Sequence, residues 1–282
     1  MSLQVIRTIS ELKGCILAAK SGGSTVAFVP TMGALHAGHI SLITAAKGQN
    51  RLVVASIFVN PTQFNNPSDL KHYPRTESAD VVLLEAAGCD VVFMPEVEEM
   101  YPSAHKGHWD YGILSSSLEG HYRPGHFDGV LTIVKRLFEA VEPDLAYFGE
   151  KDFQQLSHIQ RFVREEMPSI KIVGCPTMRE EDGLAMSSRN LRLTPEQRQT
   201  ATIISKILYD MLEKKNDFAP SELEMYGRTQ FELTHGIELE YLEIVDAKTF
   251  APVPDWDDLF DPIILVAAYV GEIRLIDNMR VI

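Results

Sequence analysis

The chain has 282 residues, with 26 lysines and arginines against 39 aspartates and glutamates, so its formal net charge is −13. At about 150 residues per domain, this length predicts two domains. Hydrophobic residues make up 45% of the chain, which is enough for packed cores. A strongly acidic protein repels phosphate backbones and anionic lipids, so we expect neither a nucleic-acid partner nor a membrane partner. An anionic ligand therefore needs a local cationic site.

The cysteines indicate the compartment. Cys15, Cys89 and Cys175 lie far apart and form no CxxC pair, which predicts neither a disulfide framework nor a zinc cluster and favours a reducing environment. Charged residues interrupt every apolar run well before about 18 residues, and the N-terminal residues show no signal-peptide pattern. We expect a cytoplasmic protein.

Short apolar runs alternate with helical patterns up to Cys175. Continuous apolar runs are typical of strands buried on both faces, and strand–helix alternation predicts a doubly wound parallel sheet with right-handed crossovers. The predicted strands span residues 25–30, 52–60, 90–95, 145–149 and 170–174. The predicted helices between them span residues 10–20, 40–47, 76–87 and 129–141.

The pattern changes beyond Cys175. Thr194, followed by Pro195 and Glu196, predicts a capped helix that ends near Lys215. A second predicted helix is followed by three predicted strands, with a tight hairpin between the last two. These elements span residues 221–234, 238–245, 263–270 and 273–276. The sequence therefore predicts an α/β protein, with a Rossmann-like parallel sheet at residues 1–176 and a smaller α+β domain at 177–282.

The segment PTMGALHAGH, at residues 30–39, follows the first of these strands and precedes a helix. In doubly wound sheets ligands bind at this position, and a helix N-terminus there favours anions. Gly33 and Gly38 permit close backbone approach, and His36 and His39 can project from the same side of the first helical turn. Two imidazoles can donate hydrogen bonds to phosphoryl oxygens and stabilise developing charge. Two histidines at this spacing can also be surface or core residues, but no third residue at a suggestive spacing favours zinc.

A second segment, SIFVNPTQF at residues 56–64, ends the next predicted strand at the same edge of the sheet. Its neutral side chains Asn60 and Gln63 can hold the hydroxyl or carboxylate of a small molecule. Asn-Pro is also ordinary turn chemistry, and Gln63 can equally be a surface residue. The segment alone leaves both readings open.

Two further segments place polar groups near this edge. Residues 143–155 end a strand and then present Lys151, a cation suited to phosphate, with Asp152 and Gln155 close behind. Residues 179–190 offer Ser187, Ser188 and Arg189, hydroxyl donors and a forked cation that also suit phosphate. The first set can instead be ordinary surface residues, and the second can instead be a loop that links two domains.

Taken in order, PTMGALHAGH, SIFVNPTQF, RPGHFDGV, AYFGEKDFQQ and GLAMSSRN resemble the motifs of the pantothenate synthetase (pantoate–β-alanine ligase) family. The first also resembles the His-x-Gly-His signature of the nucleotidylyltransferase superfamily. The resemblance implies a homodimeric enzyme with ATP as co-substrate and Mg²⁺ on its phosphates. It implies two steps: pantoate and ATP form pantoyl adenylate and pyrophosphate, and the amine of β-alanine then displaces AMP to give pantothenate.

The resemblance also implies residue roles. His39 would be the principal catalytic imidazole, acting with His36, Lys151 and Arg189. The implied ATP-binding residues are Pro30, Thr31, Met32, Gly33, Ala34, Leu35, His36, Ala37, Gly38, His39, Gly149, Glu150, Lys151, Asp152, Met178, Met186, Ser187, Ser188 and Arg189. The residues implied for pantoate and β-alanine are Asn60, Gln63, Tyr73, Arg123, His126 and Gln155.

The sequence departs from the family pattern at two places. Arg192 stands where an aromatic residue is more frequent, at a position that looks peripheral. Glu77 and Asp80 form only part of an acidic cluster, so the protein ligands of magnesium stay unknown.

Two other functions compete with the ligase. A nucleotidylyltransferase acting on a phosphorylated acceptor needs cations at its acceptor site, and the segment around Asn60 and Gln63 has none. A nucleotide-sensing protein without catalysis needs to bind ATP but does not need His39, Lys151 and Arg189 together. The ligase is the function that the sequence favours.

Overall fold

Two sheets organise the chain, a six-stranded parallel sheet and a three-stranded antiparallel sheet. The computed structural model describes residues 3–48, 51–103, 107–257 and 259–281. The parallel sheet consists of β1 (Gln4–Ile6), β2 (Thr25–Thr31), β3 (Arg51–Ile57), β4 (Val91–Phe93), β5 (Leu145–Gly149) and β6 (Lys171–Cys175). The antiparallel sheet consists of β7 (Ile237–Asp246), β8 (Pro262–Val270) and β9 (Ile273–Arg280).

Helices connect and cover both sheets. They are α1 (Ile9–Ser21), α2 (Ala37–Ala46), α3 (Pro67–Lys71), α4 (Glu77–Ala87), α5 (Val97–Met100), α6 (Ile113–Ser116), α7 (Glu119–Tyr122), α8 (His126–Val141), α9 (Phe153–Glu166), α10 (Pro195–Glu213) and α11 (Pro220–Glu232). Across the described ranges, no helix combines the length and the apolar character needed to cross a membrane.

The order of the parallel strands is β1-β4-β3-β2-β5-β6. The chain builds outward from β2 through β3 to β4, and then crosses back to place β5 on the other side of β2. A crevice forms at the carboxyl ends of the strands where the order reverses, and ligands bind in such crevices. The predicted doubly wound parallel sheet is confirmed, and its switch point lies between β2 and β5.

Alternate residues of the parallel strands enter two different cores. Phe28 and Val54 face the layer formed by α1, α8 and α9. Ala27 and Ala55, their neighbours in sequence, face the layer formed by α2 and α4. Because successive strand residues point to opposite faces, a strand covered on both sides needs apolar residues at every position. This explains the continuous apolar runs.

The antiparallel sheet is covered on both faces as well. Helices α10 and α11 pack on one face, and α10 begins at the predicted cap, where the Thr194 hydroxyl accepts the N–H of Gln197 at 3.3 Å. On the other face, Tyr241 and Leu265 pack with Leu118 and Phe153 from the parallel-sheet part of the chain. The two sheets therefore share an apolar contact.

The structure differs from the predicted elements at several places: helix α9 was not predicted, α8 begins at His126 rather than at residue 129, and β9 continues to Arg280 rather than ending at residue 276. Strand β1, a three-residue edge strand, was not predicted, because so short a segment carries no distinct pattern. Strand β3 ends at Ile57 rather than at residue 60. There the side chain of Asn60 accepts the N–H of Thr62 and caps a short 3₁₀ turn, Pro61–Gln63, so the chain leaves the sheet earlier than its apolar letters suggest.

Helix α8 fixes this turn by close approach at Gly129. A Cβ on Gly129 would lie 2.3 Å from the carbonyl oxygen of Thr62 and 2.9 Å from the Cα of Gln63. Both neighbours are backbone atoms, which cannot rotate away. Only glycine allows the helix and the turn to pack at this distance.

We predict that Gly129→Ala displaces the 61–63 turn and lowers the free energy of unfolding by about 1–3 kcal/mol, the usual cost of overpacking. The matched control is Gly14→Ala in α1, where no atom lies within 4 Å of the added Cβ. That change should raise stability by about 0.4–1 kcal/mol. Urea unfolding measures both, and equal effects of the two substitutions would contradict the steric argument.

Candidate active site

A cleft of about 220 Å³ opens at the carboxyl ends of β2, β3 and β5, at the switch point of the parallel sheet. Residues from the loop after β6 close one side. Most of the predicted site residues line this cleft. They are Pro30, Thr31, Met32, His36, Gly38, His39, Asn60, Gln63, Tyr73, Arg123, His126, Gly149, Lys151, Asp152, Gln155, Met178, Met186, Ser187, Ser188 and Arg189.

Five predicted residues do not line it: Gly33, Ala34, Leu35, Ala37 and Glu150. The amides of Ala34 and Leu35 donate to the carboxylate of Asp80, at 2.9 and 2.8 Å, and are thus committed within the protein. Gly33 has a φ of +81°, in the left-handed region that favours glycine. A Cβ there would also lie 3.1 Å from the Asp80 carboxylate. These residues shape the turn.

Asp80, on α4, is a residue whose role the sequence did not reveal. Its side chain is buried, and besides the two amides it accepts the hydroxyl of Thr76 at 3.1 Å. A carboxylate with this many partners has little capacity left for a metal ion. Within the part of the chain that the structure describes, no group of three or more His, Cys, Asp or Glu side chains could hold a metal.

The two histidines of the signature cap helix α2, and these caps determine their tautomers. The Nδ1 atom of His36 accepts the N–H of Gly38 at 3.2 Å. The Nδ1 atom of His39 accepts the N–H of His36 at 3.3 Å. A neutral imidazole whose Nδ1 accepts a hydrogen bond carries its proton on Nε2. Both rings therefore have an Nε2–H available as a donor.

Both imidazoles are neutral at ordinary pH. Burial, together with the positive charge of Lys151, lowers the pKa of His36 to about 4. Burial, His36 and Lys151 lower the pKa of His39 to about 3. The two ring centroids are 4.1 Å apart, so two charged imidazoles would repel each other strongly. The histidines act as hydrogen-bond donors without a full charge, and the cation beside them is Lys151.

The Lys151 side chain is mostly enclosed, and its Nζ lies 3.8 Å from the carboxylate of Asp152. The backbone here is held from the antiparallel sheet, because the Asn278 amide donates to the carbonyls of Glu150 and Lys151 at 3.0 and 2.9 Å. Sequence reasoning did not find Asn278, which lies 127 residues from Lys151. Its contact fixes the direction in which Lys151 leaves β5.

The amide of Asn60 is fully engaged by the protein. Its Nδ2 donates to Gln63 Oε1 at 3.0 Å and to the Gly129 carbonyl at 3.1 Å. Its Oδ1 accepts the hydroxyl of Tyr101 at 2.7 Å, another contact that the sequence did not reveal. Gln63, in contrast, directs its Nε2 toward the Met32 sulfur at 3.2 Å. Sulfur is a weak acceptor, so this amide can readily donate to a ligand oxygen.

Arg123 and His126 bind the backbone of the same turn. The Nδ1 atom of His126 lies 2.8 Å from the Gln63 carbonyl, which can only accept, so Nδ1 carries the proton. Burial and the charge of Arg123 lower the pKa of His126 to about 3, so this ring is also neutral. Arg123 lies 3.5 Å from the same carbonyl and 3.1 Å from the carboxylate of Glu119.

The loop after β6 reaches across the cleft to the first half of the chain. The hydroxyl of Ser188 donates to the Ala34 carbonyl at 2.9 Å. Arg189 and Arg192 both donate to Asp69 on α3, at 2.9 and 2.6 Å. Burial raises the pKa of Asp69, but the hydrogen bonds and charges of these arginines outweigh it and lower the pKa. Arg192 is therefore not peripheral, since it shares the carboxylate of Asp69 with Arg189.

The lining is cationic, although the protein is acidic. Among the described lining residues, the charged groups are the cations Lys151, Arg123 and Arg189 and the carboxylate Asp152. With two imidazole donors at a helix N-terminus, the cleft can bind a polyanion at one end. Gln63 and Gln155 add neutral amides to the lining, and Arg123 lies beside Gln63. This arrangement suits a nucleotide next to a small polar acid.

Comparisons with known proteins agree with this geometry. The model of the pantoate-beta-alanine ligase family matches residues 4–280. The pantothenate synthetase of Bacteroides thetaiotaomicron is 47% identical over 278 residues, which cover 99% of each chain.

Solved structures are similar over the whole chain. Pantothenate synthetase from Thermus thermophilus has a TM-score of 0.92 and 42% identity, with 99% of both chains covered. The pantoate-beta-alanine ligase of Francisella tularensis, complexed with beta-gamma ATP and beta-alanine, has a TM-score of 0.80 and 36% identity over 99% of this chain and 98% of that one. The whole chain, with both of its sheets, thus belongs to the pantoate–β-alanine ligase family.

Proposed function

We propose that the cleft joins pantoate to β-alanine at the expense of ATP, through a pantoyl adenylate. One observation carries this proposal: two neutral imidazoles with free Nε2–H groups lie beside Lys151 at the N-terminus of α2. Donors and a cation held in place before reaction stabilise negative charge that develops on a phosphoryl group. No residue needs to act as a covalent nucleophile, because the carboxylate of pantoate itself attacks the α-phosphate.

The first step forms a mixed anhydride between pantoate and AMP. An oxygen of the pantoate carboxylate bonds to the α-phosphorus. The bond between the α-phosphorus and the oxygen that bridges it to the β-phosphate breaks, so pyrophosphate leaves. In this proposal His36, His39 and Lys151 stabilise the charge on the α-phosphate. The resemblance assigns Met178, Met186, Ser187, Ser188 and Arg189 to ATP as well, and their place in the cleft lining supports this.

The second step forms the amide. The neutral amine of β-alanine attacks the acyl carbon of the adenylate, the bond from that carbon to the phosphate oxygen breaks, AMP leaves, and the nitrogen releases one proton. We propose that Gln63 and Gln155 bind pantoate, because both are neutral amides in the cleft lining and Arg123, beside Gln63, can meet a carboxylate. Asn60 is assigned to holding Gln63 rather than to the ligand, since its amide is engaged by the protein. Tyr73, Arg123 and His126 also line the cleft, and the last two contact the Gln63 carbonyl.

Magnesium accompanies ATP in this proposal, held mainly by the phosphates, as is usual for this ion. Asp152 fits such an ion, because it is the carboxylate among the described lining residues and about half of its side chain is exposed. Bound Mg²⁺ would offset phosphate charge. The residues of the chain orient the nucleotide around it.

Further properties implied by the family resemblance are a homodimer and a cytoplasmic location. We also propose that residues 177–282 act as a lid over residues 1–176, with a hinge near Pro176. The loop contact between Ser188 and Ala34 supports a lid that closes on the β2–α2 turn.

Mass spectrometry tests the reaction directly. The protein is mixed with MgATP, pantoate and β-alanine, and each component is omitted in turn. We expect pantothenate, AMP and pyrophosphate from the complete mixture, and pyrophosphate with pantoyl adenylate when β-alanine is omitted. Nucleotide binding without any product would favour the nucleotide-sensing alternative, and transfer of AMP to a phosphorylated acceptor would favour the nucleotidylyltransferase.

We predict that His39→Asn slows adenylate formation about 100- to 1000-fold, the usual effect of removing one charge-stabilising donor. The Asn oxygen can replace Nδ1 as the acceptor for His36 N–H, so the helix cap is retained. His39→Gln is the matched variant, because its amide can place a donor near the former Nε2, and it should retain more activity. Equal rates for His39→Asn and wild type would reject the assignment.

The lowered pKa values also determine the pH behaviour of the histidines. A lowered pKa means that the neutral donor persists until the pH approaches about 4 for His36 and about 3 for His39. Nitrogen NMR should therefore show both rings as neutral Nε2–H tautomers that do not titrate between about pH 5.5 and 8, the range in which an ordinary histidine does. Titration near the ordinary value would contradict the burial argument.

We predict that Gln63→Ala raises the Michaelis constant for pantoate much more than that for ATP. The loss of one hydrogen bond to a buried polar group costs about 1–3 kcal/mol. Gln160→Ala, on the exposed side of α9, is the control and should change neither constant. If both constants rise equally in Gln63→Ala, Gln63 does not belong to the pantoate end of the cleft.

We predict that a non-hydrolysable MgATP analogue increases hydrogen-exchange protection of residues 183–190. An acyl adenylate is readily hydrolysed, so a lid that excludes water protects it between the two steps. Arg189→Gln should reduce this gain, whereas Arg228→Gln, which removes a surface pair with Glu224, should not. Equal protection with and without the analogue would show that the site is preformed.

A further inference from the structure

A buried ion cluster joins the antiparallel sheet to the cleft. Arg274, on β9, donates to both carboxylate oxygens of Glu119, at 2.6 and 3.0 Å. Glu119 begins α7, 155 residues earlier in the sequence. The Nε atom of Arg274 also donates to Glu240 on β7, at 2.9 Å. A guanidinium held by two carboxylates through its planar fork has one orientation.

Glu119 is the centre of this cluster. Besides Arg274, the Tyr241 hydroxyl donates to one of its oxygens at 2.7 Å and Arg123 donates to the other at 3.1 Å. Only 7% of the side chain is exposed. Burial raises the pKa of Glu119, but the hydrogen bond and charge of Arg274 outweigh it, and the pKa is lowered to about 2. Glu119 is therefore a buried anion at every pH at which the enzyme would be assayed.

Arg123 is the member of the cluster that lines the cleft. It donates one N–H to Glu119 and another, at 3.5 Å, to the Gln63 carbonyl. A guanidinium has five N–H donors, so others remain for a ligand. The cluster is balanced overall, because the carboxylates of Glu119 and Glu240 match the guanidiniums of Arg123 and Arg274.

This balance depends on Arg274. Without its guanidinium, Glu119 would keep the Tyr241 hydroxyl and Arg123, and Arg123 would be its remaining cation within the cluster. Removal of one partner leaves part of the charge of a buried carboxylate uncompensated, which strengthens its attraction for the cation that remains. The guanidinium of Arg123 would then turn from the cleft toward Glu119. The positive charge and the N–H donors of Arg123 would then lie farther from an anion bound in the cleft.

We propose that Arg274 is a positioning residue for substrate binding: it saturates Glu119 and so leaves the Arg123 guanidinium free to bind a substrate carboxylate. This inference rests on the proposed function, in which both acids, pantoate and β-alanine, carry a carboxylate. Arg274 does not line the cleft. Its effect passes through Glu119 to Arg123, from the antiparallel sheet to the cleft.

The test compares three variants by steady-state kinetics in each substrate separately. Arg274→Lys keeps the charge and loses the fork, and Tyr241→Phe removes only one hydrogen bond to Glu119 while keeping the ring in place. Arg274→Lys should raise the Michaelis constant for pantoate or β-alanine by about tenfold or more, as is usual when a hydrogen bond to a charged group is lost. The constant for ATP should stay within about twofold. Tyr241→Phe should act in the same direction with a smaller effect.

Arg280→Lys is the third variant and the matched control, because Arg280 is on the same strand but pairs with Asp261 at the surface. It should leave all three Michaelis constants unchanged. The acid whose constant rises in Arg274→Lys identifies the carboxylate that Arg123 binds. Thermal unfolding shows whether each variant is folded, and Tyr241→Phe provides the test if Arg274→Lys is not.

The outcomes separate the two ideas. A wild-type protein that forms no pantothenate contradicts the proposed function. A wild-type protein that forms it overturns the positioning role if the folded variants bind both acids as well as wild type. A uniform loss of turnover with unchanged Michaelis constants would also overturn it, since that result indicates a general structural effect.

Discussion

The turn between β2 and α2 depends on one buried carboxylate. Asp80 accepts the amides of Ala34 and Leu35 and fixes the residues that precede the first turn of the helix. Gly33, with its left-handed backbone, is required to form this turn. The position of the turn sets where His36 and His39 begin α2, and hence where their Nε2–H groups point. The two imidazole donors are therefore positioned by Asp80, which lies on α4 and does not itself line the cleft.

The cleft has a positive local charge in a protein whose net charge is strongly negative. With a formal charge of −13, the surface as a whole repels a nucleotide. The described lining concentrates three cations around one carboxylate, and it adds two imidazoles whose low pKa keeps them neutral. Neutral donors avoid the repulsion that charged imidazoles would feel beside Lys151. They still supply hydrogen bonds where phosphoryl charge develops.

The antiparallel sheet does more than cover the cleft, because β9 contacts three segments of the site. Arg274 binds Glu119, and Asn278 binds the carbonyls of Glu150 and Lys151. Asp277 holds Arg179, at the start of the loop that carries Ser188, through two hydrogen bonds of 2.7 and 2.9 Å. One strand thus connects the cation after β5, the arginine of the RPGH segment and the loop across the cleft. Movement of this sheet would reach all three.

Most secondary-structure elements and the chemistry of the cleft follow from local sequence patterns. Buried parallel strands need apolar residues at successive positions, so β2, β3 and β5 were visible as runs, and Thr194 with Pro195 marked the start of α10 through local capping. The polar residues that follow those strands were predicted to share one edge, and the structure brings them together in one cleft. The edge strand β1 is too short for such a pattern.

In contrast, only the tertiary structure shows which polar residues position the residues of the cleft. The contacts of Asp80 with Ala34, of Tyr101 with Asn60, and of Arg274 with Glu119 span 46, 41 and 155 residues. An aspartate on a helix or an arginine in a strand has no local pattern that names a partner so far away. Such pairs form because folding buries both groups, and a buried polar group must find a partner. The sequence indicates the groups that meet the ligand, and the folded chain supplies those that position them.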